Sequence, residues 1–281
     1  DRAEPGDFIY LRGGAEFTHD HAARGILVSA TSRNAANGEP GRLITLKSHP
    51  GEQAVIRGLA VDGVPRENLG IRISRSHWKV EGLRIIHGAI CVACNVMPDI
   101  EDVWVVGNHI SDAVASVGNF GMITISGQTT QGGPVAEVDP RDIRIHDNVV
   151  HTLWGVQPRG GDPLPWHEDR DVEHHACLMI HRASGLVEVV GNDFSECATI
   201  FYSKFIGPGP TVARDNYFHD ARTIAYRWRS SRPRFENNVF VHVSPPGTAR
   251  LAVFAQLRPD PVPVPSPRRP LSPGRPLSRE P

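Results

Sequence analysis

The chain has 281 residues, a formal net charge of −1 at pH 7, 27 glycines and 24 prolines. That length allows one large core or two small ones, and the balanced charge gives no general attraction to nucleic acid or to an acidic membrane. No run of about 18 apolar residues is present, so no membrane-spanning helix is expected, and the N-terminal stretch from Asp1 does not read as a signal peptide.

The first predicted elements are short strands. PGDFIYLRGG places one at Phe8 to Leu11, and RLITLKSHPGEQAVIRG places one on each side of the Pro50–Gly51 turn. LGIRISRSHWKVEGLRIIHG alternates, with Ile71, Ile73, Trp78, Val80, Leu83 and Ile85 as core candidates. Cys91 and Cys94 follow as a lone C-x-x-C. They have neither the further ligands that zinc needs nor the helix start of a redox motif, and they read as buried thiols. Cys177 and Cys197 are 20 residues apart, and read either as a disulfide or as plain core.

From here the chain repeats itself. VWVVGNHI, IRIHDNVV, VEVVGNDF, VARDNYF and PRFENNVF share one phrase: an alternating strand, an asparagine, and an apolar residue two further on. The marked asparagines are Asn108, Asn148, Asn192, Asn216 and Asn238, at intervals of 40, 44, 24 and 22. The two long intervals contain loop-like insertions at 127–142 and 155–172; without them each interval returns to one repeat. Short strands repeated at such a period indicate a solenoid. Neither a leucine-rich pattern nor a helix-length amphipathic stretch is present, which leaves an all-β, parallel β-helix over residues 1–257. Asparagine suits the turn, and its amide can bond the amide one coil away.

Residues 258–281 are different: nine of these 24 are proline, with five arginines against two acids. Such a stretch forms no ladder or helix and is expected to be an extended or disordered tail.

Counting back from the asparagines brings out a second pattern. His181 lies 11 before Asn192, Lys204 12 before Asn216 and Arg227 11 before Asn238. The strands GMITIS, CLMIH, TIFYSK and TIAYR end on Ser126, His181, Lys204 and Arg227, so these four are expected in one column facing outward. The next step of 23 reaches Arg250. A column of cations along a solenoid suits an acidic chain laid across it; the alternative is local pairing with Asp215, Asp220 or Glu236. Tyr202 and Tyr226 stand just before the column, either in the core or, at a bulge, in the groove. His219 is read as a turn residue able to act as a second acid–base group.

The combination PGDFIYLRGG, LITLKSHPGEQAVIRG and WKVEGLRI, with the repeated asparagine phrase, resembles the right-handed parallel β-helix proteins of the pectate-lyase-like superfamily over roughly residues 5–245. Lys204, the NYF phrase at Asn216 to Phe218, and Arg227 are similar to the layout of the family of chondroitinase B and many alginate lyases. That resemblance implies β-elimination on a uronate-containing polysaccharide. Lys204 would be the base and Arg227 the acid or charge stabiliser, with His181 and His219 as auxiliary groups. It implies a secreted or cell-surface protein, expected to be a monomer, with an acidic polysaccharide and not nucleic acid as partner. Family members often hold a calcium ion; in ECATIFYS the acid available is Glu196, and Asp169 and Glu173 are the further candidates. Phe205 and a Gly-Pro-Gly-Pro turn follow Lys204, where the family has serine and then asparagine.

WHEDRDVEHH, from Trp166 to His175, is the densest polar cluster, readable as a metal site, a substrate loop or a solvated loop. Trp154 and Trp166 flank it and can stack on sugar rings; His174, Arg229, Arg250, Tyr202 and Tyr226 complete the expected substrate contacts. Two other functions fit the fold: glycoside hydrolysis, with carboxylates drawn from Asp139, Asp142, Asp169 and Asp171, and glycan binding without catalysis.

Overall fold

The computed structural model describes residues 3–14, 16–18, 28–29, 36–58, 60–61, 64–65, 70–94, 100–115, 120–126, 140–155, 163–169, 174–181, 183–204, 210–228, 233–241 and 253–254. Among them the chain is all β, with 24 strands and no helix. No helix long and apolar enough to cross a membrane occurs there. The tail at 258–281 and most of the two insertions lie outside the described residues.

The strands recur in passes. The first pass holds β1 (Phe8–Leu11), β2 (Glu16–Thr18) and β3 (Val28–Ser29). The second holds β4 (Ile44–Ser48), β5 (Val55–Arg57), the small hairpin β6 (Ala60–Val61) and β7 (Val64–Pro65), and β8 (Ile71–Ile73). Then come β9 (Trp78–Glu81), β10 (Arg84–Ile86) and β11 (Ile90–Val92); β12 (Glu101–Val106), β13 (His109–Val114) and β14 (Phe120–Ser126). The fifth pass is β15 (Arg141–His146), β16 (Val149–Trp154) and β17 (His175–His181). The sixth is β18 (Val187–Val190) and β19 (Asp193–Lys204), and the seventh β20 (Thr211–Arg214) and β21 (Tyr217–Trp228). The eighth holds β22 (Arg234–Glu236), β23 (Val239–Val241) and β24 (Val253–Phe254).

First strands pair only with first strands, in the order β1-β4-β9-β12-β15-β18-β20-β22, and every pairing between passes is parallel. Second strands stack in the same way from β2 to β23, and third strands from β3 to β24. The second and third stacks join into one curled sheet because β19 and β21 run through the corner between them. The start of β19 pairs with β16 and its end with β17.

Period-2 alternation explains the core. In the first stack Leu46, Val80, Val105, Ile145 and Val189 fall in one register row, and each is buried. Ile56, Ile85, Ile110, Val150, Phe194 and Phe218 do the same in the second. Each such side chain contributes about 1.5–3 kcal/mol by leaving water. All six core residues expected between Ile71 and Ile85 are buried.

The asparagines form the expected ladder. Oδ1 of Asn148 accepts from the backbone N–H of Asn108 at 2.9 Å and from its Nδ2 at 3.1 Å. Asn192, Asn216 and Asn238 repeat this, each serving the asparagine one pass earlier. Leu83 stands at the head of the ladder and donates its N–H to Asn108. The residue before each ladder position turns the corner in the left-handed region: Gly82, Gly107, Asp147, Gly191, Asp215 and Asn237 have φ between 50° and 67°.

The cysteines correct the sequence reading in part. Cys91 and Cys94 are bonded to each other and are not free thiols, and Cys177 of the fifth pass is bonded to Cys197 of the sixth, both buried.

Candidate functional site

The expected column forms as far as Lys204 and then breaks. Ser126 is opposite His181, and His181 is opposite Lys204. Lys204, however, is opposite Trp228, and Arg227 is opposite Ser203. The offset between β19 and β21 is 24 along their whole length, the same as between Asn192 and Asn216. Neither strand is interrupted between the ladder corner and its end, so the asparagines fix the register throughout. Counted forward within its own strand, Lys204 is 12 past Asn192 but Arg227 is 11 past Asn216. Counting backward across the intervening loops hid that single-residue slip. Arg227 therefore stands in the row of Ile180 and Ser203, which are both buried.

The other expected residues are scattered. Tyr202 is 2% exposed and packs with Ala176 and Met179 in a small cluster apart from the main core; Tyr226 is opposite it in the ladder. Trp154 ends β16, half-buried, and its indole Nε1 has no hydrogen-bond partner. Trp166 lies in a turn, its ring edge-on to His167. The carbonyl of His174 accepts the N–H of Phe120. Arg229, Arg250, Glu173, Asp139 and Asp171 lie outside the described residues. Asp142 is a strand residue in β15 with φ 55°.

Asp169 proves to be a partner of histidine. Its carboxylate accepts from Nδ1 of His175 at 2.7 Å, and both side chains are 4% exposed. Gly155 sits against this pair, where a Cβ would come within 2.5 Å of Asp169. Arg222 donates to the Asp169 carbonyl at 2.6 Å. Among the described residues no three or more histidine, cysteine, aspartate or glutamate side chains are gathered for a metal ion.

His219 is a strand residue of β21, not a turn residue, and it belongs to the second stack, opposite Ser195. The corner at Glu196 and Asp220 separates it from the Lys204 end of the sheet. Its two ring nitrogens meet Asp220 at 2.7 Å and Asp193 at 2.9 Å, and Tyr217 stacks on it at 4.2 Å. Partial burial pulls its pKa down, but the bonds to Asp220 and Asp193 outweigh this and hold it above the ordinary histidine value.

The exterior of the second stack carries a constellation not singled out from the sequence. His109 and His151 face each other, Nε2 to Nε2 at 2.8 Å. His151 Nδ1 is 2.9 Å from the Thr152 hydroxyl, which donates to Glu196. Burial lowers the pKa of His109, helped by His151 and Arg84 and opposed by Asp112. The signal available in the sequence was position alone: His109 and His151 are one and three residues past a ladder asparagine, at alternation positions that face outward.

The first stack is by contrast a field of matched charges. Lys79 and Arg144 lie over Trp104 at 5.8 and 4.6 Å. Arg144 also pairs with Asp102 and Glu188, Arg141 with Glu101, and Lys47 with Glu81.

No protein-family model matches the chain, and no curated protein matches it. Among solved structures it is similar to an alginate lyase from Paenibacillus sp. str. FPU-7, at 13% identity and a TM-score of 0.35, over 85% of this chain and 93% of that one.

Proposed function

We propose that the three stacks are the faces of a right-handed parallel β-helix, and that the chain is a polysaccharide lyase acting on a uronate-containing acidic polysaccharide. The observation that carries this reading is the register contact of His181 with Lys204 on adjoining passes. It supplies two proton-handling side chains in one row, each about 4.8 Å from the next along the stack. The resemblance of the Lys204–NYF stretch to uronate lyases gives the pair its chemistry.

In the proposed reaction Lys204 takes the proton from the carbon that bears the carboxylate. That electron pair forms a double bond to the adjacent ring carbon, whose bond to the glycosidic oxygen breaks. The departing oxygen receives a proton from His181. Lysine must be neutral to act as the base, and a cation beside it moves its pKa in that direction. The carboxylate needs a positive partner while charge develops. Arg227 on the next pass is not assigned this part, because it stands in the row of the buried Ile180 and Ser203, one residue off Lys204's row. Two disulfides suit an oxidising compartment, which supports a secreted or cell-surface location.

The test is a screen of alginate, pectate and chondroitin for an ultraviolet-absorbing unsaturated uronide, which hydrolysis and binding do not make. Lys204→Ala should abolish that product while polymer binding survives. Normal turnover by Lys204→Ala on an accepted polymer would remove the assigned base.

A further inference from the structure

His109 in the fourth pass and His151 in the fifth meet head-on outside the second stack, with ring centroids 5.1 Å apart. Two neutral imidazoles make such a contact only when one Nε2 carries a proton and the other offers its lone pair. The neighbours decide which. An ionised Glu196 only accepts, so the single Thr152 proton points to it. Toward His151 Nδ1 the hydroxyl is then an acceptor. His151 therefore holds its proton on Nδ1, and its Nε2 is the bare nitrogen that faces His109.

We propose that His109 and His151 together bind a transition-metal dication of the Cu(II) or Ni(II) class, in place of the proton between them. On binding, the Nε2 proton of His109 leaves and Nδ1 takes one up from solvent, so that both Nε2 lone pairs face the ion. Three features support this. Metal-binding histidines characteristically donate their other ring N–H to an anchoring group, and His151 does so through Thr152 to Glu196. Two nitrogens each about 2.0–2.1 Å from one ion and at right angles stand about 2.9 Å apart, whereas tetrahedral ligands stand about 3.3 Å apart. The observed 2.8 Å fits the right-angle arrangement of square-planar or octahedral ions better than the tetrahedral one of zinc. The centroid separation shows the two rings end to end, so each must turn by about 45° about its broad terminal torsion before both lone pairs meet one ion.

The third feature is the scaffold. His109 and His151 come from strands paired in register over Val149, Ser111 and Ala113, so the ion would tie two passes together. Of the charges acting on His109, Arg84 opposes a bound cation and Asp112 favours one. No third histidine, cysteine or acid completes the set among the described residues. Water would occupy the remaining positions, which makes the ion exchangeable.

The experiment is calorimetric titration of the full chain with Cu(II) and with Ni(II), paired with the electron paramagnetic resonance signal of nitrogen-ligated copper. The chain has 14 histidines, so the variants decide the outcome. His109→Ala and His151→Ala should each remove one equivalent of the tightest binding. His109→Gln guards against a folding defect, because its amide can replace the hydrogen bond but binds metal poorly. Thr152→Val keeps both ligands and breaks the link to Glu196, and should weaken binding about tenfold. The metal should raise the melting temperature of the unmodified chain and not of the histidine variants. An unchanged number of tight sites in both histidine variants overturns the proposal, and so does wild-type affinity in Thr152→Val.

Discussion

Two corners of the same winding chain use left-handed backbone and put it to opposite purposes. Between the first and second stacks, the turning residue is mostly glycine, aspartate or asparagine, and the next residue buries an amide that bonds the pass before it. Between the second and third stacks, the turning residues are His87, Asp112, Thr152, Glu196 and Asp220, with φ between 48° and 63°. There the next residue is apolar and buried, as at Ala113, Leu153, Cys197 and Ala221. At Thr152, Glu196 and Asp220 the polar groups stay outside and bond one another or a neighbouring histidine. A residue with a Cβ costs roughly 1–2 kcal/mol in the left-handed region, and a β-branched one such as Thr152 is the least suited to it. The first corner thus holds the passes together, while the second tolerates strain to present titratable groups at the surface.

The largest effect is expected from breaking the first corner. Asn148 accepts twice from Asn108 and donates to the Val105 and His146 carbonyls and to Asn192. Asn148→Ala leaves several of these buried groups unpaired, at about 1–3 kcal/mol for each one that water cannot reach. A total loss of about 2–4 kcal/mol is expected in denaturant unfolding. A loss under about 1 kcal/mol would show that water replaces the amide and that the ladder is not what stabilises this corner.

The two corners also differ in how far they could be read from the sequence. The ladder was legible because one residue type recurs in one phrase at Asn108, Asn148, Asn192, Asn216 and Asn238, and every pass imposes the same demand on it. The core rows were legible for the same reason. The second corner has a different side chain in each pass, so no phrase recurs, and alternation says only that His109 and His151 face outward. The Lys204–Arg227 column failed because the count crossed loops, while the true register is carried by an unbroken strand. The Asp169–His175 pair closes a loop onto a strand, a contact that neither period nor spacing records.

A smaller effect tests whether the surface groups beside the second corner hold passes together at all. His219 joins Asp193 of the sixth pass to Asp220 of the seventh. Its folded pKa is raised, so its contribution to stability is fully present below the unfolded value of about 6.5 and is lost as the pH rises through the folded value. The His219 share of the melting temperature should therefore fall modestly as the pH is raised from about 6 to about 8. It is read as the difference between the unmodified chain and Asp193→Asn, so that the opposite trend of His87, His109 and His146 cancels. Salt should weaken the effect because the group is partly exposed. Asp193→Asn should flatten that part of the profile. An identical profile in the variant would mean that Asp220 alone sets the pKa and that the link between passes is not electrostatic.

The smallest effect is the most diagnostic of the comparison. Thr152 has φ 63° and bridges His151 and Glu196. Thr152→Gly removes a strain of about 1–2 kcal/mol. Against this gain stand about 0.5–1.5 kcal/mol for the lost hydroxyl bond, and about 0.5–1 kcal/mol for the greater freedom of glycine in the unfolded chain. These terms nearly cancel, so the unfolding free energy should stay within about 1 kcal/mol of the unmodified protein. Glu196 and His151 are both within reach of water, which can take over their bonds. The same change removes the group that fixes the His151 tautomer, so the ring-nitrogen resonances of His151 should show a mixture of tautomers where the unmodified chain shows one. A loss near that of Asn148→Ala, with a single tautomer retained, would mean that the second corner is built for stability like the first.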